Sequence, residues 1–246
     1  MADSGRILGR VVRTYDAVES TNDTLKELLE EGVPEGTVVI AKRQVSGRGR
    51  HGRAWFSPPG GLYFSFLLQP PERDAAPFSL LTGMPVVKAL RHYGVLAYLR
   101  WPNDAHFMEK KVAGILGDGV YRREQFYAVI GVGVNTNIPL NALPEALQKT
   151  ATSVQHEERA VNHDEFLQYF LGHCDALYTR YKSGSRAMLF KEYRGLCTTI
   201  GKRVEADTGK GKVLGTAVDV ALSGALIVLD EAGTRHEVLD ADLRYV

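Results

Sequence analysis

The sequence predicts an α+β protein in two parts: a larger domain over residues 1–197 and a small all-β domain over 198–246. Three observations carry this. Strand-like and helical runs alternate irregularly as far as Cys197. From Thr198 the pattern changes to five short alternating segments, KRVEAD, KVLGTAVDVA, ALIVLD, TRHEVL and DLRYV, with glycine turns between them. A stretch rich in arginine and glycine, Gln44 to Gly61, stands between two apolar strand-like runs. At 246 residues and 44% apolar content the chain can build one large core and one small one.

Residues 6–13 alternate enough for a strand. Glu19-Ser20-Thr21-Asn22-Asp23 leads into Leu25, Leu28 and Leu29, and Gly32 follows. That predicts a helix with Ser20 as N-cap, supported by Asp23, and a glycine stop. A helix N-terminus also welcomes an anion or a ligand carbonyl, so both readings of Ser20 can hold. Thr37 to Lys42 and Leu62 to Leu68 read as buried strands. Residues 77–94 have helical spacing, with Pro85 placed to kink the element. Leu96 to Trp101 reads as a strand, and Pro102-Asn103-Asp104 as a turn. Lys110 to Leu116 begins another strand, which Gly117-Asp118-Gly119 is expected to turn or bulge. Gln125 to Val134 is its partner, and glycines within a strand mark a close approach of ligand or backbone. Residues 144–149, 163–183 and 186–197 read as helices.

Lysine and arginine number 30 against 29 acidic residues. A net charge of +1 argues against a general polyanion binder. The positive charge is concentrated in the Gln44–Gly61 stretch, which favours a small anionic ligand. The two cysteines, Cys174 and Cys197, form no disulfide framework or metal quartet, so a reducing compartment is expected. No apolar run approaches a membrane span and the N-terminus has no apolar signal core, so the cytoplasm is expected. Gly209-Lys210-Gly211-Lys212 lacks the spacing of a phosphate-binding P-loop, and His156-Glu157-Glu158 reads as a solvated surface. With no G-x-S-x-G elbow either, a covalent enzyme nucleophile or a bound zinc has no support.

The chemistry of the arginine stretch is specific. Glycines let backbone N–H groups come close to a ligand, and successive N–H groups form an anion-binding concavity. Arg48, Arg50 and Arg53 add planar forks that match carboxylate and phosphate oxygens. Gly47-x-Gly49-x-x-Gly52 is formally a dinucleotide fingerprint, but Pro58, Pro59, Gly60 and Gly61 leave no helix after it. An arginine-glycine nucleic-acid patch would need a broad basic face, which the balanced charge does not supply.

Five motifs occur in a fixed order over about residues 20 to 137. They are Ser20-Thr21-Asn22, Gln44 with Gly47-Arg48-Gly49-Arg50-x-Gly52-Arg53-x-Trp55-Phe56-Ser57, Trp101-Pro102-Asn103-Asp104, Lys111-Val112-Ala113-Gly114-Ile115-Leu116, and Gly131-x-Gly133-x-Asn135. This set resembles the biotin protein ligase family. The resemblance implies a mixed-sheet catalytic domain of the class II synthetase-like (biotin/lipoate ligase) type, with an SH3-like β-barrel at the C-terminus. It implies activation of biotin by ATP to biotinyl-5′-AMP, then transfer to a lysine of a biotin carboxyl carrier domain. Biotin and ATP are the implied substrates, with Mg2+.

By the same resemblance, Ser20, Thr21, Asn22, Gln44, Gly47, Arg48, Gly114, Ile115, Leu116, Gly131 and Gly133 are expected to surround biotin. Arg48, Arg50, Gly52, Arg53, Trp55, Asn103 and Asn135 are expected around ATP or the adenylate. Lys111 belongs to both groups. Lys111, Arg48 and Asp104 are the implied catalytic residues, Asp104 either holding Mg2+ or taking a proton from the carrier lysine. Arg100 and Gly117-Asp118 depart from the commonest family pattern, which has a lysine at the first place and a longer side chain and a glutamate at the second. The 19 residues before Ser20 are too few for a helix-turn-helix, so DNA binding is not expected. A lipoate or octanoate ligase of the same fold and a non-catalytic biotin-binding regulator are the alternatives. The resemblance leaves monomer and homodimer both open. The loop from about Ser46 to Phe56 is expected to be mobile until it closes over ligand.

Overall fold

The computed structural model describes residues 5–71, 73–157, 160–209 and 211–246. The surface expected at His156-Glu157-Glu158 lies outside its described side chains. In chain order the elements are β1 (Val12–Tyr15), α1 (Thr21–Glu31), β2 (Val38–Ala41), β3 (Leu62–Leu68), α2 (Ala76–Leu81), α3 (Gly83–His92), β4 (Tyr98–Arg100), β5 (Asp104–Phe107), β6 (Lys110–Arg122) and β7 (Gln125–Val134). Next come α4 (Glu145–Gln148), α5 (His163–Lys182) and α6 (Arg186–Arg194). The last strands are β8 (Arg203–Asp207), β9 (Lys212–Val220), β10 (Leu226–Leu229), β11 (Arg235–Val238) and β12 (Asp242–Tyr245).

The first seven strands form one mixed sheet in the order β1-β2-β3-β7-β6-β5-β4, parallel between β1 and β2 and antiparallel elsewhere. The last five form a separate antiparallel sheet, β11-β10-β9-β8-β12. This is the α+β arrangement with a small β-rich end that the composition shift predicts.

Strand β3 shows how the sequence builds the layers. Successive side chains of a strand face opposite ways. Phe64 and Phe66 pack on Phe170 of α5, with ring centroids 4.9 and 5.9 Å apart. Leu67 faces the other side, in a small cluster with Leu25 and Leu29 of α1, Val39 and Val129. Each aromatic pair adds about 0.5–1.5 kcal/mol beyond its buried area. Helix α1 therefore lies on one face of the sheet and α5 on the other.

Five details differ from expectation. The strand begins at Val12, not at residue 6, because the Ile7 and Leu8 amides donate to Asp175 Oδ1 of α5 at 2.7 and 2.8 Å instead of joining the sheet. Ser20 stands at the N-cap of α1, yet its side chain makes no capping hydrogen bond. Residues 77–94 split into α2 and α3 at Thr82, upstream of Pro85, whose ring crowds the carbonyl four residues before it. Gly117-Asp118-Gly119 neither turns nor bulges β6, which stays in register with β7 from Ala113 opposite Val134 to Arg122 opposite Gln125. Those glycines are needed for packing: a Cβ at Gly117 would lie 2.7 Å from Ser79 Cβ of α2, and one at Gly119 2.8 Å from the Phe126 ring. Finally α6 stops at Arg194, and the residues after it run along the sheet edge: Leu99 N donates to Leu196 O and Thr198 N to Leu99 O, both at 2.9 Å.

Candidate functional site

A cleft of about 600 Å³ opens over the face of the mixed sheet where β6 and β7 pair. Of the residues singled out from sequence, all but Gly47 and Gly52 line it. Those two shape the arginine loop instead. A Cβ at Gly47 would lie 2.6 Å from both Ser57 Oγ and Trp55 O, while Gly52 turns the chain at φ 69°.

The arginine loop is a compact hairpin. Gly49 N donates to Arg53 O at 2.7 Å and Trp55 N to Gly47 O at 2.8 Å. This folds Trp55 back over the sheet, where Gly114 of β6 pairs with Gly133 of β7. A Cβ at Gly133 would lie 2.4 Å from Trp55 Nε1, and one at Gly114 3.0 Å from Cζ3. The glycines thus admit the indole. Lys111 Nζ stands 5.0 Å from the ring centroid, a cation–π distance. Trp55 Nε1 is buried with no hydrogen-bond partner among the described residues.

At one end of the cleft Gln44 ties α1 to the loop. Its Oε1 accepts from Thr21 N at 2.8 Å, and its Nε2 donates to Ser57 Oγ at 2.9 Å. At the other end Lys111 Nζ lies 2.6 Å from Asp104 Oδ1. That contact is an ion pair rather than an aligned hydrogen bond. Burial pushes the Asp104 carboxyl up, but Lys111 and His106 together outweigh it and hold it below the ordinary carboxylate value. His106 Nε2 is 3.9 Å from Asp104 Oδ2. Asn103 Nδ2 donates to Ile115 O at 2.6 Å and Ile115 N to Asn103 O at 2.9 Å, which locks the Pro102–Asp104 turn onto β6. Asn135 Nδ2 donates to Thr152 O at 3.0 Å, fixing the segment after α4 beside the cleft.

Three arginines are held by carboxylates. Arg48 pairs with Asp23 of α1, Arg50 with Asp240, and Arg53 with Asp242. Arg50 Nη2 also donates to Ala241 O at 3.3 Å. Ala241, Asp242, Leu243 and Tyr245 of the C-terminal sheet line the cleft, as do Leu143, Leu147, Thr150 and Ala151 around α4. Sequence reasoning missed both groups. Short apolar residues in a loop and the last turn of a β-sheet carry no local signal of a site. His106 was missed too, because one histidine in a strand reads as core.

The arrangement gathers Arg48, Arg50 and Arg53 of the loop and Lys111 of β6 at one concave surface, beside a flat aromatic face and an apolar wall. It can neutralise several anionic oxygens at once and hold a planar ring. Among the described residues no three His, Cys, Asp or Glu side chains come together to hold a metal ion, and Asp104 already faces an ammonium. The described helices include none long and apolar enough to cross a membrane.

The chain matches the biotin/lipoate A/B protein ligase family over residues 15–135 and the biotin protein ligase C-terminal domain over residues 199–242. It is 30% identical to a biotin protein ligase from Aquifex aeolicus solved in complex with biotin and ATP, covering 96% of this chain and 100% of that one with a TM-score of 0.85. It is 28% identical over 243 residues to the biotin–[acetyl-CoA-carboxylase] ligase of Mycobacterium tuberculosis, covering 93% of this chain and 87% of that protein. It is 29% identical over 243 residues to the bifunctional ligase/repressor BirA of Bacillus subtilis, covering 96% of this chain and 74% of that protein. The ordered motifs, the two matched regions and the shared fold agree: the chain belongs to the biotin protein ligase family.

Proposed function

We propose that this protein activates biotin with ATP to biotinyl-5′-AMP, releasing pyrophosphate, and passes biotin to a lysine of a biotin carboxyl carrier domain. The observation that carries it is the convergence of Lys111, Arg48, Arg50 and Arg53 on one cleft with Trp55 and the glycine-floored sheet. The Aquifex relative, which has the same fold, is solved with biotin and ATP.

The first step brings a carboxylate against a triphosphate, so like charges must be screened along the line of attack. Lys111 stands at the Asp104 end of the cleft, over the Trp55 ring, and serves the α-phosphate and acyl oxygens. Arg48, Arg50 and Arg53 take the remaining phosphate oxygens. Trp55 offers its face to the adenine, and its unpartnered Nε1 is a donor in search of an acceptor, as buried indoles seldom are. Ser20, Thr21 and Gln44 line the end that takes the biotin ring, with Gly131 beneath Asn22. Any Mg2+ would be held chiefly by the phosphate oxygens of ATP and would supply neutralisation of their charge. Asp104, with Lys111 against it, fits a metal poorly.

In the second step the carrier lysine, with an ordinary pKa of about 10.4, must lose a proton before it attacks. Asp104, held ionised, accepts or orients that amine. The amine nitrogen bonds to the acyl carbon, the acyl–phosphate bond breaks, AMP leaves with the electron pair, and the surplus proton on nitrogen passes to solvent. Two buried free cysteines fit a reducing cytoplasm. The outer edge of β1 has no partner strand among the described residues, which supports pairing with a second copy, tested by sedimentation. We place the domain boundary at residues 197/198, a reading supported by the separate sheet that β8 to β12 build.

Biotin-dependent ATP–pyrophosphate exchange, run beside lipoate and octanoate, tests the reading. Exchange with biotin alone is expected. Folded protein that binds biotin but exchanges with no acid would instead be a regulator.

A further inference from the structure

His106 belongs to none of the motifs read from the sequence, yet it lines the cleft together with Asp104 and Lys111. The local backbone brings this about. Strands β5 and β6 are joined by a two-residue turn, Met108-Glu109, with φ of 45° and 62°. Their pairing slips by one residue between Ala105, opposite Ala113, and His106, opposite Lys111. A bulge of this kind re-aims a side chain. Val112 is left fully buried, and Lys111 turns into the cleft on the face that Asp104 and His106 share.

The imidazole is held on two sides. Its Nδ1 lies 3.3 Å from Glu109 O, and a carbonyl can only accept, so Nδ1 carries the proton. In the neutral ring Nε2 is then a bare acceptor. Glu109 is itself tied to Tyr98: its N donates to Tyr98 Oη at 3.1 Å, and its Oε1 accepts from that hydroxyl at 2.7 Å. The Tyr98 ring stacks beside the imidazole, with centroids 6.2 Å apart.

His106 Nε2 faces Asp104 Oδ2 at 3.9 Å, too far for a hydrogen bond. Asp104 Oδ1 is turned to the Lys111 ammonium 2.6 Å away, so Asp104 is a carboxylate and it too can only accept. Two acceptors thus stand side by side in the cleft, with no donor between them among the described residues. A neutral primary amine has two N–H groups and one lone pair. Giving both hydrogens to this pair leaves the lone pair free and sets its direction.

We propose that Asp104 Oδ2 and His106 Nε2 form the acceptor pair that receives the amine of the carrier lysine and points its lone pair at the acyl carbon. This deepens the second step above and rests on it. A carboxylate alone could bind the amine, and the second acceptor orients it. Lys111, on the other oxygen of Asp104, meets the acyl oxygens from the adjoining side. As the N–C bond forms and the acyl–phosphate bond breaks, AMP keeps the electron pair and the surplus proton on nitrogen goes to solvent.

The test compares two readouts in the same variants: biotin-dependent pyrophosphate exchange, and single-turnover transfer from biotinyl-5′-AMP to a biotin carboxyl carrier domain. His106→Leu keeps the bulk and removes the acceptor, whereas His106→Gln keeps an oxygen near the place of Nε2. In His106→Leu the ratio of transfer to exchange is expected to fall about 10–100-fold, the size of loss that misdirected reactants suffer. His106→Gln should recover a good part of it. Methylamine in place of the carrier should give the same order of variants, because the pair acts on the amine itself. Transfer and exchange falling together, or His106→Leu and His106→Gln behaving alike, would overturn the proposal. So would a loss seen with the carrier domain but not with methylamine. Should His106→Leu fail to fold, Tyr98→Phe decides: it frees Glu109 and should lower the ratio several-fold, and a wild-type ratio there would count the proposal out. Wild-type protein that shows no exchange with biotin would instead sink the reading on which the proposal rests.

Discussion

The floor of the cleft and the arginine loop above it are held by different forces. The floor is backbone and buried polar contact: the Gly114–Gly133 pair, the Asn103–Ile115 exchange, and the chain from Asp118 through Asn22 to Ser65. The loop is held to its surroundings by three ion pairs, in which Arg48 and Arg53 have side-chain exposures of 43% and 60% and Arg50 only 21%. Buried hydrogen bonds lock geometry, because breaking one strands a polar group. Exposed ion pairs are worth only about 0–1 kcal/mol and weaken with salt. The molecule thus joins a fixed template to an adjustable cover.

The sharpest test of the fixed part is Lys111→Ala. It should cut pyrophosphate exchange by about 10²–10³-fold with the fold intact by circular dichroism. Near-normal exchange would remove Lys111 from the chemistry. Gly133→Ala comes next. Its added methyl collides with the Trp55 indole and should raise the KM for ATP about tenfold while costing about 1–3 kcal/mol in urea unfolding. If both values stay at wild type, the indole is not held by the glycine floor.

For the cover, Asp242→Asn frees one ion pair of Arg53 and should change stability by less than about 1 kcal/mol. Proteolysis at residues 46–56 should quicken in this variant, and should slow in wild type when biotin and ATP are added together. Equal cleavage with and without ligands would mean that the cover does not close.

The smallest effect concerns His163, whose Nε2 meets Thr136 Oγ1 at 2.7 Å. Burial lowers its pKa from the ordinary 6.5. The unfolded chain therefore takes up the proton first, so stability from this group is full above about pH 6.5 and declines as pH falls below it. His163→Gln should flatten that slope in thermal melts from pH 7.5 to 5.5.

The same contrast explains what was legible in the sequence. Motif residues on the floor were readable through the resemblance to the biotin protein ligase family, whose motif order they follow. Strands β3 and β7 and helix α1 were readable from period and from the glycine stop at Gly32. Gly117 and Gly119 misled, since a glycine needed beneath Ser79 or Phe126 looks the same in sequence as a turn glycine. Ser65 was read only as part of a strand, because its hydrogen bonds to Thr21 and Asn22 depend on the fold. Asp240, Asp242 and Tyr245 were invisible as site residues, since nothing local joins the end of the chain to a loop about 190 residues earlier.

The Trp101 turn gives the two sheets a shared fate. Its backbone amide donates to Thr199 Oγ1 at 3.0 Å and its indole N–H to Gly224 O at 2.8 Å, both buried. A cut between residues 197 and 198 would separate the two members of both pairs. The two halves, made separately, are expected to recover ligase activity only when brought together. The small sheet is therefore part of what supports the cleft and not an appendage to it.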